Sequence, residues 1–119
     1  MASTSPSELP IIQKTYDLIL WYVPILNRLP RAHKFTLGDR MVTGLYELLE
    51  GLVTARYQRN KQEILTPLMS RIDLLKYQTR LLFDFDLVDL RRYEYASRSI
   101  GEVGQQLRGW MKKAAVATP

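Results

Sequence analysis

The sequence predicts an all-α protein, an antiparallel up-down four-helix bundle. Apolar residues recur at alternating spacings of three and four along four separate stretches, which is the period of an amphipathic helix. No alternating run of β-branched residues is bounded by paired turn residues, so strand signals are missing. With 119 residues, of which 46% are apolar and 24% charged, the chain suits one domain with a single core.

The first predicted helix runs from about Leu9 to Leu29. Pro24 within it removes one backbone donor and crowds the preceding turn, which predicts either a kink near residues 20–23 or a helix in two pieces. The residue before a proline is pushed out of the helical region, so the Leu29-Pro30 pair ends the helix. The apolar stripe consists of Leu9, Ile12, Tyr16, Ile19, Val23 and Leu26.

The second and third helices follow a basic connection, residues 28–34. Thr36 is the predicted N-cap of the second helix, with Asp39 as a favourable charge near its start. Asn60 begins the third helix, and Glu63 lies at the N3 position of a capping box. The two apolar stripes consist of Val42, Leu45, Leu49 and Leu52, and of Leu65, Leu68, Ile72, Leu75, Thr79 and Leu82.

The fourth helix carries a strict seven-residue apolar repeat between residues 87 and 113. Such a repeat is typical of a helix with one seam facing a partner. Asp86 is the predicted cap of this helix, and Asp89 lies at its N3 position. The seam positions are Leu90, Tyr93, Ser97, Ile100, Gly104, Leu107, Met111 and Ala114.

The predicted bundle domain covers residues 9–114, between a disordered N-terminus (1–8) and a frayed C-terminus (115–119). The first residues lack the charged-then-apolar pattern of a signal peptide, and no apolar run approaches the roughly 20 residues that cross a bilayer. The chain contains no cysteine, which favours a cytoplasmic setting. We therefore expect a cytoplasmic protein that has no membrane partner.

The net charge is +5, and its excess is concentrated in two places. The basic connection has three cations and no acid, and from residue 87 onward six cations outnumber three acids. Cations spaced along a helix can contact successive phosphates, and the basic face of the fourth helix is expected to lack interleaved acids. An ordinary solvated helix face is the alternative. The nucleic-acid contacts predicted on this helix are Arg91, Arg92, Arg98, Lys112 and Lys113.

Glycines inside the fourth helix indicate that another helix approaches closely. Each costs roughly 0.5–1 kcal/mol of helix stability relative to alanine. Gly101 and Gly104 lie about one turn apart, and Trp110 adjoins the seam. We assign all three residues to packing between subunits. A helix that is locally weakened or bent is the alternative.

No residue pattern indicates an enzyme. The single histidine, His33, lies among cations rather than beside acidic ligands, and the chain has no Glu-x-x-His pair of the kind that holds two metals in a bundle. Asp84 and Asp86 fall at a helix junction, where capping or pairing with Arg80 explains them. Glycine-rich phosphate loops and nucleophile motifs are missing. We predict a protein that is not an enzyme and holds neither metal nor cofactor.

Two separated segments resemble a known family. Residues 29–40, LPRAHKFTLGDR, are similar to the LPR-x-H-R/K-F-x-L-G-x-R connection of the accessory variability determinant (Avd) proteins of diversity-generating retroelements. Residues 99–112, SIGEVGQQLRGWMK, are similar to the closing segment of that family, I-x-E-x-G-x-x-L-x-G-W-x-K. The resemblance spans Leu9 to Lys113, and Lys34, Gln105 and Gln106 occupy positions where arginine or an apolar residue is the commoner choice in that family.

The resemblance implies a basic homopentamer, a ring-like barrel of four-helix bundles. It implies that the protein binds the reverse transcriptase of the same retroelement and RNA or DNA. In this way it would support mutagenic retrohoming, in which adenine-mutagenised cDNA copied from a template repeat replaces a variable repeat. The resemblance adds four residues to the predicted nucleic-acid contacts and supports Lys112. The four are Arg31, His33, Lys34 and Arg40.

Two other interpretations belong to different functional classes. The four-helix-bundle proteins encoded within ribosomal RNA intervening sequences share the architecture, and a protein of that type would be a structural interaction module without direct nucleic-acid binding. Its basic residues would serve solubility and salt bridges between subunits. A bundle enzyme that holds a metal or cofactor is the third interpretation, and it has almost no support from the residues.

Overall fold

A computed structural model describes residues 8–117 of the chain. Four long helices dominate this part: α1 (Glu8–Asn27), α2 (Asp39–Arg56), α3 (Lys61–Asp84) and α4 (Leu90–Ala117). They form a rod of 49 × 24 × 22 Å, and residues 8–117 contain no strand. The predicted all-α four-helix bundle is therefore confirmed. No helix in this range combines the length and the hydropathy needed to cross a membrane.

The helices form an antiparallel square in which α4 returns beside α1. An ion pair between Lys14 and Glu102, 2.7 Å long, joins α1 to α4. Another ion pair, between Glu47 and Arg71, joins α2 to α3. Neighbours in the chain are therefore neighbours in space, as short connections require. The diagonal partners, α1 with α3 and α2 with α4, meet only through the core.

The core consists of aliphatic side chains at helical spacing, with one polar bridge across it. The hydroxyl groups of Tyr22 in α1 and Thr79 in α3 share a hydrogen bond of 2.7 Å, and both residues are buried. Burial raises the pKa of the Tyr22 hydroxyl above its ordinary value, so the group stays neutral. The most deeply buried aliphatic residues are Ile11, Leu26, Met41, Leu45, Leu48, Leu52, Leu65, Ile72, Leu82, Ile100 and Leu107.

Replacing Tyr22 by phenylalanine should lower the free energy of unfolding by about 1–3 kcal/mol, because the buried Thr79 hydroxyl loses its partner. The double variant Tyr22→Phe with Thr79→Val should recover most of this loss, since two apolar groups of similar shape need no hydrogen bond. Chemical denaturation of the single and double variants measures both effects. A double variant that is less stable than either single variant would contradict the assignment.

The connection between α1 and α2 is helical from Arg31 onward, which corrects the predicted helix start at Thr36. Arg31–His33 form an α-helical turn, and Lys34–Gly38 form a π-helix that leads directly into α2. The Thr36 hydroxyl donates to the carbonyl oxygens of Ala32 and His33, each at 3.3 Å, and so does not cap α2. We call residues 31–38 the connecting segment.

The connecting segment packs closely on the bundle because of three residues, Leu29, Pro30 and Gly38. Pro30 has φ −54° and ψ 148°, an extended conformation that turns the chain before the new helix begins. Gly38 is buried, and a Cβ atom there would lie 3.3 Å from Cδ1 of Leu29, itself a core residue. The absence of a side chain at Gly38 thus lets the π-helix lie directly on α1.

Two predictions about helix continuity need correction. α1 is a single helix through Pro24, so the two-piece alternative is wrong; Pro24 is exposed in the last two turns, where its ring faces solvent and few hydrogen bonds follow it. α4 continues to Ala117, so residues 115–117 are helical rather than frayed. α1 begins at Glu8. The predictions of disorder over residues 1–7 and of fraying at 118–119 lie outside the described residues.

Asp89, rather than Asp86, caps α4. The Asp89 carboxylate accepts a hydrogen bond from the backbone N–H of Arg92 at 2.8 Å, the arrangement of an N-cap residue. Asp86 instead has a φ of 60° in the turn between α3 and α4. Aspartate occurs in this left-handed region more often than most residues do, which suits Asp86 to the turn.

The buried seam of α4 keeps the predicted three-and-four spacing but is rotated about the helix axis. Leu90, the first predicted seam residue, is 56% exposed. Val103 and Trp110 take the central core positions beside Gly104 and Met111, because large apolar side chains fill the core better than glycine does. The buried residues of the seam are Ala96, Ile100, Val103, Gly104, Leu107, Trp110 and Ala114.

Candidate nucleic-acid interface

A groove between α1 and α4 receives one row of side chains from each helix. Lys14 and Trp21 are seven residues apart, so they lie on one side of α1 at a two-turn interval, and Arg28 follows at the same spacing directly after the end of α1. Tyr95 and Glu102 have the same spacing on α4. The rings of Trp21 and Tyr95 meet with centroids 4.7 Å apart, and Lys14 pairs with Glu102 at 2.7 Å. The two antiparallel helices thus bring matching rows together.

Three arginines line the end of this groove that is nearest the α3–α4 turn, and a fourth lies close to them on α4. Arg28 and Arg92 line one depression, and Arg91 and Arg92 line the adjoining one beside the two aromatic rings. Arg98 is exposed and lies one turn beyond the aromatic residue of α4. We call this set the arginine–aromatic groove: Trp21, Arg28, Arg91, Arg92, Tyr95 and Arg98.

Two carboxylates lie close to these arginines, which corrects the expectation that the basic face of α4 lacks acids. Asp89 caps the helix and pairs with the Arg92 guanidinium at 3.2 Å, so its charge is already engaged. Glu94 is exposed and falls between Arg91 and Arg98 on the outer face of the helix. Four arginines against two carboxylates still leave this end of the bundle positive.

Arg31, His33 and Lys34, predicted from the family resemblance, lie at the same end of the bundle as the arginine–aromatic groove. The His33 ring packs on Phe85 in the α3–α4 turn, with centroids 5.1 Å apart. This contact holds the connecting segment beside that turn. Arg31 is exposed, whereas Lys34 is partly buried with its ammonium group 5.4 Å from the Phe35 ring centroid. The three residues extend the positive end rather than line the groove.

The remaining three predicted contacts lie elsewhere on the bundle. Arg40 lines a separate groove between α2 and α3, beside Arg71 and on the opposite side of the square. Lys112 and Lys113 are exposed near the far end of α4, about 31 Å along the helix from Arg91 at 1.5 Å per residue. The nine predicted contact residues therefore do not form one continuous surface within a single chain.

Trp110 belongs to the core of the chain, which corrects its assignment to packing between subunits. Its side chain is 2% exposed, and the Lys61 ammonium lies 6.0 Å from its ring centroid. Gly104 is also buried, and a Cβ there would lie 3.5 Å from Cγ2 of Ile72, an ordinary van der Waals distance, so Gly104 faces α3 of the same chain. A Cβ at Gly101 would meet no atom of a neighbouring helix within 4 Å. The role of Gly101 in subunit packing stays a prediction.

Sequence reasoning missed three members of the groove, Trp21, Arg28 and Tyr95. A signal exists for each of them. Trp21 and Arg28 are seven residues apart on α1, and Tyr95 falls between Arg91 and Arg98 at helical spacings of four and three. These spacings indicate a shared groove only once it is known that α1 and α4 pack against each other along these faces.

The chemistry of the groove is that of binding. Arginine stays protonated in proteins and offers several donors in a planar fork, which suits it to phosphate rather than to proton transfer. In residues 8–117, no three histidine, aspartate or glutamate side chains come together as metal ligands would. The arrangement presents fixed positive charge beside two aromatic rings.

Comparisons with known proteins bear on the whole bundle. A family model described as bAvd-like matches residues 9–114. A crystal structure of a protein of unknown function from the S23 ribosomal protein family, from Bacteroides thetaiotaomicron VPI-5482, superimposes with a TM-score of 0.81 and 14% sequence identity. The alignment covers 89% of this chain and 98% of that one. This likeness concerns the fold alone. No curated protein matches the chain.

Proposed function

The chain belongs to the bAvd-like family, and we propose that it is a non-catalytic accessory protein of a diversity-generating retroelement. It acts in the cytoplasm, where it binds template RNA or cDNA together with the reverse transcriptase of the same element and so supports mutagenic retrohoming. The observation that carries the nucleic-acid part is the arginine–aromatic groove. Arg28, Arg91 and Arg92 line its two depressions at one end of the bundle, and Arg98 is exposed one turn beyond Tyr95 on α4.

Several features of the groove support phosphate binding. Guanidinium groups form charge-assisted, bidentate hydrogen bonds with phosphate oxygens. Arg28 lies at the end of α1, directly after its last residue, and Arg91 and Arg98 lie on α4, so a bound backbone would be contacted from both sides of the groove. Arg31 and Lys34 in the connecting segment add charge at the same end, which strengthens the long-range attraction for a polyanion.

Assembly into a ring-like homopentamer is part of the proposal. Five copies of a chain with a charge of +5 carry +25 in total, which raises the local attraction for nucleic acid. Exposed apolar side chains on the adjoining faces of α1 and α2 support contact with another copy, because large exposed apolar patches are characteristic of interaction surfaces. These side chains are Tyr16, Leu20, Tyr46 and Val53.

Salt titration of nucleic-acid binding tests the proposal. The affinity for labelled single-stranded RNA and DNA, measured by fluorescence anisotropy, should fall steeply with salt. If the four groove arginines contact phosphates, the logarithmic slope should be about −3, at −0.7 per neutralised phosphate on a single strand. A folded protein that binds neither RNA nor DNA at low salt would overturn direct nucleic-acid binding.

The second candidate function is a structural interaction module without direct nucleic-acid binding. The similarity of the fold to a protein of the S23 ribosomal protein family favours it as the alternative. The same titration separates the two, since only the first predicts salt-sensitive affinity. The proposed association with a reverse transcriptase has a separate test, the gene neighbourhood. The gene for this protein should lie beside a reverse transcriptase gene and a pair of near-identical template and variable repeats.

A further inference from the structure

The two aromatic rings of the groove form a platform that a flat ligand can reach. Trp21 and Tyr95 meet at a centroid distance of 4.7 Å with their planes tilted by 46°. They line a depression of about 380 Å³ together with Arg91, Arg92 and the helix cap Asp89, a volume in the range of ligand pockets. Tyr95 is 44% exposed. An incoming planar group therefore has aromatic surface to stack against.

The platform is held in place from beneath. The Trp21 ring meets the ring of Tyr22 at 5.1 Å and 64°, an edge-to-face contact. Tyr22 is buried and hydrogen-bonded to Thr79 across the core. A stacking surface fixed in this way is ordered before a ligand arrives, which lowers the entropy that binding would otherwise lose.

Positive charge flanks the platform on both sides. Arg91, Tyr95 and Arg98 are spaced by four and three residues on α4, so Tyr95 lies between two arginines whose Cα atoms are about 10 Å apart along the axis. Arg28 follows Trp21 by seven residues, directly after the end of α1. Proteins that bind single strands combine such aromatic platforms with a cationic groove along the backbone.

We propose that the Trp21–Tyr95 pair receives an unpaired nucleobase, so that the groove binds single-stranded nucleic acid in preference to a duplex. This inference rests on the proposed nucleic-acid function and names the ligand class of the same site. In a duplex the faces of the bases are stacked inside the helix, and only phosphates could then engage the arginines. The free base face of a single strand adds stacking to the same phosphate contacts.

Tyr95→Ala tests the inference, with Tyr95→Phe as the matched control. The alanine variant should lose about 5- to 100-fold in affinity for a short oligouridine, the loss expected for one stacked base. Its affinity for a duplex of the same length should change less than about twofold. Tyr95→Phe keeps the ring and should retain both affinities. Thermal unfolding of each variant checks that the exposed position leaves the fold intact.

Tryptophan fluorescence gives an independent readout. The chain has two tryptophans, and Trp110 is buried, so quenching upon addition of oligouridine reports on Trp21. Quenching should occur with the unmodified protein and disappear in Trp21→Phe. Equal losses for single strand and duplex in Tyr95→Ala, or unchanged affinity for both, would overturn the stacking inference while leaving the proposed function standing. Absence of binding to either probe would overturn both.

Discussion

Replacing Trp110 by alanine is expected to lower the free energy of unfolding of the chain by about 3–5 kcal/mol. The indole is 2% exposed and lies in the seam of α4, between Leu107 and Ala114. Its removal leaves a cavity that the surrounding helices can only partly close, and the lost transfer free energy adds to the cavity cost. Denaturation with urea measures the difference.

Val116→Ala on the same helix provides the control. Val116 is 84% exposed, so its truncation should change stability by less than about 0.5 kcal/mol. The assignment of Trp110 to a contact between subunits would be restored by the opposite result. Trp110→Ala would then leave the stability of the separate chain unchanged, while analytical ultracentrifugation would show that the chain no longer assembles.

Reversing Arg91, Arg92 and Arg98 to glutamate is expected to reduce the affinity for RNA or DNA at least about a hundredfold at low salt. Each charge-assisted hydrogen bond to phosphate contributes roughly 1.5–3 kcal/mol, so the loss of three exceeds two orders of magnitude. The stability of the bundle should hardly change, because all three side chains are exposed and the Asp89 cap accepts from the backbone N–H of Arg92, which the substitution keeps.

A matched variant separates the site from the overall charge. Each reversal removes two units of charge, so three reversals take the chain from +5 to −1 wherever they are made. Reversing Arg59, Lys76 and Arg80, which are exposed away from the groove, should lower affinity only modestly through the weaker long-range field. Equal losses in the two triple variants would show that total charge, and not the groove, governs binding.

The fold could be predicted from the sequence because each long helix carries its own apolar period. Ile72 and Leu82 on α3, for example, are core residues at the positions that their spacing predicts. Helix ends were harder to predict. Thr36 looks like a cap locally. No second proline follows Pro30 in the connection, however, so helical structure runs from Arg31 into α2, with Gly38 packed on Leu29.

The candidate site could be predicted only in part, since it depends on two helices at once. Arg91, Arg92 and Arg98 belong to one helix and share a spacing, so their proximity follows from the sequence. Trp21 and Arg28 line the groove because of the rotation of α1 about its own axis relative to α4. The sequence of α1 alone does not predict that rotation. The assignment of Trp110 to packing between subunits was wrong for a related reason. Trp110 and Met111 are both compatible with the seven-residue repeat, and the larger side chain, that of Trp110, fills the core.

The π-helix between α1 and α2 makes the connection sensitive to the direction in which its length changes. A π-helical turn holds more residues than an α-helical turn, because its hydrogen bonds join residues five apart rather than four. Deletion of one residue from 34–38 would convert this turn to an α-helical one of similar overall rotation, so His33 would stay against Phe85. Insertion of a residue has no such compensation and would turn Arg31 and His33 away. The segment therefore acts as a reserve of one residue, which the chain can lose more easily than it can gain another.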